Sequence, residues 1–150
     1  MLMRKVIIMS IILPIIISCS LLSPSITGVN FTISAVKGWQ DTGINIKSNS
    51  QIIFSYQSGR WSINKDGEYT DANGYYNNYP NMIEGVCKNA PLPDELSGAL
   101  VGRVGNGKVF IIGNTQKIIS NNDGILFLSI NDACLGDNAG DVVVNIVVTK

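Results

Sequence analysis

The sequence predicts an all-β domain. Its apolar residues come in short runs that are rich in Ile, Val and aromatic side chains, the residue types that favour strands. Gly, Asn, Asp and Pro separate these runs and indicate turns. No segment keeps a helical period over three turns. Because the runs recur at intervals of about 8–12 residues, the pattern favours a β-sandwich or jelly roll over alternating strands and helices.

Nine strands are predicted, four before a long polar segment and five after it. In chain order they are residues 31–36, 43–46, 51–56, 60–61, 98–104, 108–112, 116–119, 125–130 and 142–149. In residues 126–130 the even positions are apolar, which predicts one buried face and one wetter face. Residues 142–148 are mostly apolar on both faces, so this run is predicted to be a central strand.

The polar segment from Asn64 to Leu96 interrupts the strand pattern. Its 33 residues include few apolar anchors and many turn formers. A connection of this length inside a compact domain is usually functional.

Composition excludes several classes of function. The 11 basic and 11 acidic side chains balance, and only 15% of residues are charged, which argues against a nucleic-acid binder. The chain has no His, so Ser-His-Asp and Cys-His catalysis, His-rich zinc sites and a His pH switch are excluded. Carboxylates, amides, hydroxyls and carbonyls remain, and these are the ligands of hard cations and of sugars.

The N-terminus has the pattern of an export signal. Arg4 and Lys5 precede an apolar run over residues 6–18, as a basic n-region precedes an h-region. A membrane-spanning helix is the alternative, but the run is shorter than the ~20 residues that a bilayer requires, and Pro14 interrupts it. We therefore expect residues 1–18 to be a cleaved signal peptide.

The end of that run, Ile16-Ile17-Ser18-Cys19, resembles the bacterial lipobox. The resemblance implies cleavage before Cys19, diacylglycerol on its sulfur and a lipid anchor in the membrane. Ser20 follows where an inner-membrane retention signal would carry Asp, which favours the outer membrane. Residues 19–30 are then a lipidated tether, and residues 31–150 are the folded domain. An ordinary secretory signal with an incidental Cys is the alternative.

Cleavage changes the charge and the cysteine count. Removing 18 residues, Arg4 and Lys5 among them, leaves 132 residues with 9 basic and 11 acidic side chains, a net charge of −2. Lipidation of Cys19 leaves Cys87 and Cys134, an even pair in an oxidising compartment, which indicates a disulfide. Closing this loop of about 48 residues would contribute ~4 kcal/mol in the chain-entropy model. Two buried free thiols are the alternative.

One loop concentrates oxygen ligands. Residues 130–141 contain three Asp, two Asn and two Gly between two strong strands. Gly and Asn allow sharp turns, so that oxygens can converge on one point. Converging carboxylates repel each other unless a cation cancels their charge, and calcium takes 6–8 oxygen ligands. A polar hairpin with solvated Asp side chains is the alternative.

Four motifs together resemble the PA-IL-like family of calcium lectins. They are Gly38-Trp-Gln-Asp-Thr-Gly-Ile44, Gly59-Arg-Trp-Ser62, Gly98-Ala-Leu-Val-Gly-Arg-Val-Gly105, and Asp123-Gly-Ile-Leu-Phe-Leu-Ser-Ile-Asn-Asp132 leading to Asp137-Asn-Ala-Gly140. The resemblance covers nearly all of the chain from about Val29 onward. It implies a small jelly-roll β-sandwich that is galactose-binding-domain-like.

The resemblance also implies a calcium site at one end of the sandwich. The family's ligand roles fall on the side chains of Asp132, Asp137 and Asn138 and on the backbone of Asn64. A loop carbonyl completes the set, with Leu135 or Gly136 as candidates because the loop here is shorter by about two residues. Asp137 stands where the family has a neutral Asn, and its added charge should strengthen calcium binding.

In the family, galactose hydroxyls complete the calcium shell, and a His and a Gln hold the far side of the sugar ring. This chain has no His, and its comparable loop reads Tyr75-Tyr-Asn-Asn-Tyr-Pro-Asn-Met82. We expect sugar contacts from Tyr76, Tyr79 and Asn81, together with Asp132 and Asp137. Tyrosines that pack onto the end of the sandwich are the alternative.

The sequence therefore predicts an envelope-anchored, calcium-dependent carbohydrate-binding lipoprotein that is not an enzyme. The sugar expected from the resemblance is of the galactose type. The competing hypothesis is a non-lectin lipoprotein that uses the same sandwich as a structural or assembly module of a surface machine.

Overall fold

A computed structural model describes residues 28–76 and 90–150 of the chain. They form eight strands and one short 3-10 turn. The strands are β1 (Val29–Ser34), β2 (Gln40–Ile46), β3 (Gln51–Ser62), β4 (Leu100–Val104), β5 (Phe110–Ile111), β6 (Thr115–Ile119), β7 (Gly124–Ile130) and β8 (Ala139–Thr149), and the turn is Leu135–Asp137. The all-β prediction is confirmed. Within the described ranges, no helix is long and apolar enough to cross a membrane.

The strands form two four-stranded antiparallel sheets with the orders β1-β8-β3-β6 and β2-β7-β4-β5. The first strand pairs with the last, the second with the seventh, the third with the sixth and the fourth with the fifth. The chain is thus folded back on itself like one long hairpin that has been rolled into two sheets. This is jelly-roll topology, as predicted.

The hydrophobic core lies between the two sheets, where apolar side chains of alternate positions meet. On β7 the even positions Leu126, Leu128 and Ile130 are fully buried, which confirms the predicted alternation. The buried core is Ile33, Ala35, Ile46, Ile52, Phe54, Trp61, Ala72, Leu100, Val104, Ile112, Leu126, Leu128, Ile130, Val142, Val144 and Ile146.

Strand β8 is central in its sheet, between β1 and β3, as its two apolar faces predicted. The prediction of separate strands at 51–56 and 60–61 was wrong, because β3 is one strand of twelve residues. A bulge between Tyr56 and Ser58 shifts its register on β8, and the pairing then continues to Ser62. Gly59 in this segment has a φ of 91°, and a Cβ there would lie 2.4 Å from the Asp141 carbonyl oxygen, so only Gly fits.

Antiparallel pairing brings three connections to one end of the sandwich. Ser62 at the end of β3 pairs with Ala139 at the start of β8, and Ser34 at the end of β1 pairs with Asp141. The connections β1–β2, β3–β4 and β7–β8 therefore meet at this end, which we call the loop end.

Candidate functional site

The oxygen-rich loop between β7 and β8 is held at the loop end by its neighbours. The Lys65 N–H donates to the Asp137 carbonyl at 2.7 Å, which joins the loop to the β3–β4 connection. The Asn138 Nδ2 donates to the Ala35 carbonyl at 3.0 Å, which joins it to the β1–β2 connection. The three connections are therefore held together at the loop end by hydrogen bonds to the β7–β8 loop.

Three side-chain oxygens of this loop are buried without a hydrogen-bond donor: Oδ2 of Asp132, Oδ1 of Asp137 and Oδ1 of Asn138. Buried polar atoms are almost always paired, because an unpaired one loses its hydration without compensation. All three belong to the residues that the sequence predicts as metal ligands. Two carboxylates and an amide oxygen are also the ligand types that suit a hard cation.

The pKa of Asp132 also indicates that negative charge at the candidate site is not compensated by the protein. Burial raises the pKa of the Asp132 carboxyl above its ordinary value. The side chain of Asn138 and the backbone N–H groups of Cys134 and Ala133 lower this pKa, while the Asp137 carboxylate adds to the rise. The net rise means that ionised Asp132 is disfavoured here unless a positive charge accompanies it.

Asn131 directly before Asp132 is a structural anchor that the sequence analysis missed. It is fully buried. Its Oδ1 accepts from the Leu92 N–H at 2.8 Å, and its Nδ2 donates to the carbonyls of Leu92 and Leu96 at 2.9 and 3.1 Å. Asn131 thus fixes the end of the long polar segment against β7. The sequence placed it in a polar loop, where its amide could equally have faced a ligand.

Buried groups at the end of β3 fix the β3–β4 connection next to the candidate site. The Trp61 indole N–H donates to the Gly98 carbonyl at 2.8 Å. The Tyr75 hydroxyl donates to the Glu68 carbonyl at 2.5 Å and lies 3.1 Å from Ser62 Oγ. These bonds tie the start and the end of the long β3–β4 connection to the sandwich.

The backbone ligands predicted from the resemblance differ in their environments. The Asn64 carbonyl accepts hydrogen bonds from Ser62 Oγ at 2.5 Å and from the Gly67 N–H at 2.8 Å, so both of its lone pairs are in use. The Leu135 carbonyl accepts only a long bond of 3.4 Å from the Asn138 N–H. Gly136 is exposed, and a Cβ there would meet open space.

The predicted sugar contacts are only partly within the described residues. Tyr76 is 89% exposed and directly follows Tyr75, which is anchored at the loop end. Tyr79 and Asn81 lie outside the described residues. Among the cysteines, Cys134 is disulfide-bonded, while its predicted partner Cys87 and the predicted lipidation site Cys19 also lie outside them.

Across residues 28–76 and 90–150, no group of three or more His, Cys, Asp or Glu side chains is placed to hold a metal ion. The candidate site instead combines the two carboxylates of Asp132 and Asp137 with an amide oxygen and backbone carbonyls. A set made only of oxygen atoms suits a hard cation such as calcium rather than zinc, which prefers nitrogen and sulfur ligands.

Comparison with solved structures shows what the fold is similar to. The N-terminal domain of EclA, described as a PllA-like lectin, superimposes with a TM-score of 0.54 at 20% sequence identity, over 82% of this chain and 98% of that domain. No protein-family model matches the chain, and a comparison with curated proteins found no match. The structural likeness confirms at the level of the fold the β-sandwich that the PA-IL-like resemblance implies.

Proposed function

We propose that this protein binds carbohydrate in a calcium-dependent manner at the loop end of the sandwich. One observation carries the proposal: oxygens of Asp132, Asp137 and Asn138 are buried in one loop without a hydrogen-bond donor, and both Asn138 and Asp137 shift the pKa of the Asp132 carboxyl. The lectin fold supports carbohydrate binding in general terms. The calcium requirement and the galactose-type specificity are the finer parts of the proposal.

The carboxylates of Asp132 and Asp137 together carry the charge that a divalent cation would cancel. Asn138 adds an oxygen whose orientation is already fixed, because its Nδ2 is bonded to the Ala35 carbonyl. A carbonyl of Leu135 or Gly136 would complete the set on the turn. The Asn64 carbonyl joins it only if one of its two present hydrogen bonds is given up. When bound, a calcium ion supplies coordination positions that pairs of sugar hydroxyls can fill.

The remaining contacts to the sugar would come from the chain itself. Carboxylate oxygens of Asp132 and Asp137 that do not face the ion would accept hydroxyl hydrogen bonds. Tyr76 offers an exposed ring whose face can pack on the C–H edge of a sugar. Tyr79 and Asn81 remain predicted contacts. No proton transfer or bond cleavage is involved, so the protein acts by binding alone.

A glycan array run with calcium and with chelator tests the function. We expect retention of galactose-terminated glycans in calcium and its loss in chelator. Asp132→Ala should show no retention in either condition. Asp94→Ala should behave like the natural protein, because it removes an exposed carboxylate outside the candidate site. Absence of retention in calcium, even with multivalent presentation, would refute carbohydrate binding. The structural or assembly role would then be favoured if calcium still stabilised the fold.

We also propose that lipid on Cys19 anchors the protein in the cell envelope at the outer membrane. The predicted tether of residues 19–30 then ends before β1, because Val29 and Asn30 already pair with β8. The lipobox resemblance supports this. Intact-mass analysis of the protein from membranes should show the mass of diacylglycerol on a chain that begins at Cys19. Cys19→Ala should abolish the added mass. An unmodified Cys19 in the mature natural protein would contradict the anchor without affecting the carbohydrate proposal.

A further inference from the structure

The outer face of the second sheet carries an arginine stacked on two aromatic rings. The guanidinium carbon of Arg103 lies 4.7 Å from the ring centroid of Trp39 and 5.3 Å from that of Phe127. Both distances are within the range of cation–π attraction. We call Trp39, Arg103 and Phe127 the arginine platform.

The strand register explains why these residues meet. Arg103 on β4 pairs directly with Phe127 on β7, and Asp41 on β2 pairs with Phe127 from the other side. Arg103 and Asp41 are therefore separated by two strand spacings, about 9–10 Å between their backbones. The Asp41 carboxylate is engaged within its own strand, where Oδ1 accepts from the Gly43 N–H at 2.7 Å.

Arg103 is consequently a cation without an anion. No hydrogen bond or ion pair involves its side chain in the part of the chain that the structure describes, and its Nε is buried with no partner. The terminal nitrogens likewise have no partner, but they are not among the buried atoms, so they can be reached from solvent. An arginine held flat by two rings, with donors unused, is preorganised to take an anion at its edge.

The arginine platform also lies beside the loop end. Trp39 follows Gly38, and a Cβ on Gly38 would lie 3.6 Å from the Leu135 side chain in the turn of the candidate metal loop. A ligand of a few sugar units that starts at the loop end could therefore extend over Trp39 to Arg103. The half-buried rings of Trp39 and Phe127 supply faces and edges for sugar C–H groups next to the charge.

We propose that the arginine platform is a second binding site, for an acidic group such as a carboxylate or sulfate carried on a sugar ring. The choice of a sugar rests on the proposed function, whereas the choice of an acidic group rests on the unpaired guanidinium. This site does not depend on the metal. The preferred ligand of the protein would then carry an acidic group in addition to the sugar that binds at the loop end.

Intrinsic fluorescence offers a direct readout, because Trp61 is fully buried and Trp39 is the only other tryptophan of the chain. We would titrate the protein in chelator with a heparin-derived tetrasaccharide, maltotetraose, sodium sulfate and tetraglutamate at matched ionic strength. We expect a saturable change with the heparin tetrasaccharide and none with the other three over the same concentrations. Trp39→Phe should remove the signal.

Variants of Arg103 and Asp41 distinguish an effect of charge on binding from an effect of misfolding. Arg103→Gln should weaken heparin tetrasaccharide binding by about tenfold or more, and Arg103→Lys should weaken it less, because an ammonium keeps the charge but loses the planar fork. Asp41→Asn should strengthen it by about twofold by removing a nearby negative charge. If Arg103→Gln does not fold, the titrations of Arg103→Lys and Asp41→Asn still test whether Arg103 binds the acidic group.

Equal binding of maltotetraose would overturn the acidic specificity. Saturation by sulfate alone at the same concentrations would overturn the role of the sugar, and tighter binding of tetraglutamate would assign the arginine platform to an acidic protein partner instead. Unchanged affinity in Arg103→Gln would overturn the site. Because every titration is made in chelator, failure here is distinguishable from loss of calcium-dependent retention on the glycan array.

Discussion

Replacing Asp132 by Ala is expected to abolish the thermal stabilisation that calcium gives the protein. With calcium at about 100 times its Kd, the natural protein should gain about 2.7 kcal/mol in free energy of unfolding, which corresponds to about 10 °C in Tm for a domain of this size. The variant lacks one of the two carboxylates that would cancel the charge of the ion. Thermal melting followed by circular dichroism, with calcium and with chelator, measures the difference.

In chelator the same substitution should cost little. Asp132→Ala loses the 2.8 Å bond from the Ala133 N–H to Oδ1, but it also removes a buried oxygen without a partner and the repulsion by Asp137. We expect the Tm of the variant and of the natural protein to agree within a few degrees when no calcium is present. Asp94→Ala, which removes an exposed carboxylate outside this loop, is the matched control and should keep the full response to calcium. An equal calcium response in Asp132→Ala would refute the metal site.

The response should also weaken in acid. The pKa of Asp132 is raised in the folded state, chiefly by burial, so the folded protein binds a proton more readily than the unfolded chain does. Without metal, the free energy of unfolding then falls as pH rises from the ordinary aspartate value through the raised one. Calcium requires the ionised form, so its stabilising effect should shrink as pH falls through that interval.

Replacing Trp61 by Ala is expected to have the largest effect on the fold itself. The side chain is fully buried at the end of β3, and its loss should lower the free energy of unfolding by about 3–5 kcal/mol. The Gly98 carbonyl also loses its indole donor. Since domains are stable by only about 5–15 kcal/mol, the variant should unfold at a much lower denaturant concentration. Chemical denaturation followed by circular dichroism provides the measurement.

Trp61→Phe distinguishes the contribution of ring packing to stability from that of the hydrogen bond to Gly98. It keeps an aromatic ring and leaves the Gly98 carbonyl unpaired, which should cost about 1–3 kcal/mol. Trp39→Phe is the control, because Trp39 is only half-buried and lies outside the core. Losses of similar size in Trp61→Ala and Trp39→Phe would show that Trp61 does not anchor the long connection.

Much of the fold could be predicted because it follows from local alternation. Burial of Leu126, Leu128 and Ile130 was visible in five consecutive residues, since strand side chains alternate with a period of two. The continuity of β3 was not predictable in this way. Gly59 indicates a turn in the sequence, and only pairing with β8 across the bulge shows that the strand continues.

The residues of the candidate site were likewise predictable only in part. Asp132, Asp137 and Asn138 were predicted as oxygen ligands from the composition of one loop and from the PA-IL-like resemblance, and their ligand role is part of the proposal. The sequence did not show that Asn131 turns inward as an anchor, because either orientation satisfies a polar side chain. It also did not show that the Asn64 carbonyl already accepts two hydrogen bonds.

The sequence by itself determined the all-β class and the concentration of carboxylates in one loop, and its missing His excluded His-dependent catalysis and His-rich zinc sites. Only the tertiary structure decided which oxygens are buried without donors and which arginine is stacked on two aromatic rings. Asn138 and Ala35, which share a hydrogen bond, are 103 positions apart in the chain, and Arg103, Trp39 and Phe127 meet from three separate segments. Such pairings depend on strand register and on which loops share an end of the sandwich, and local periodicity carries no information about either.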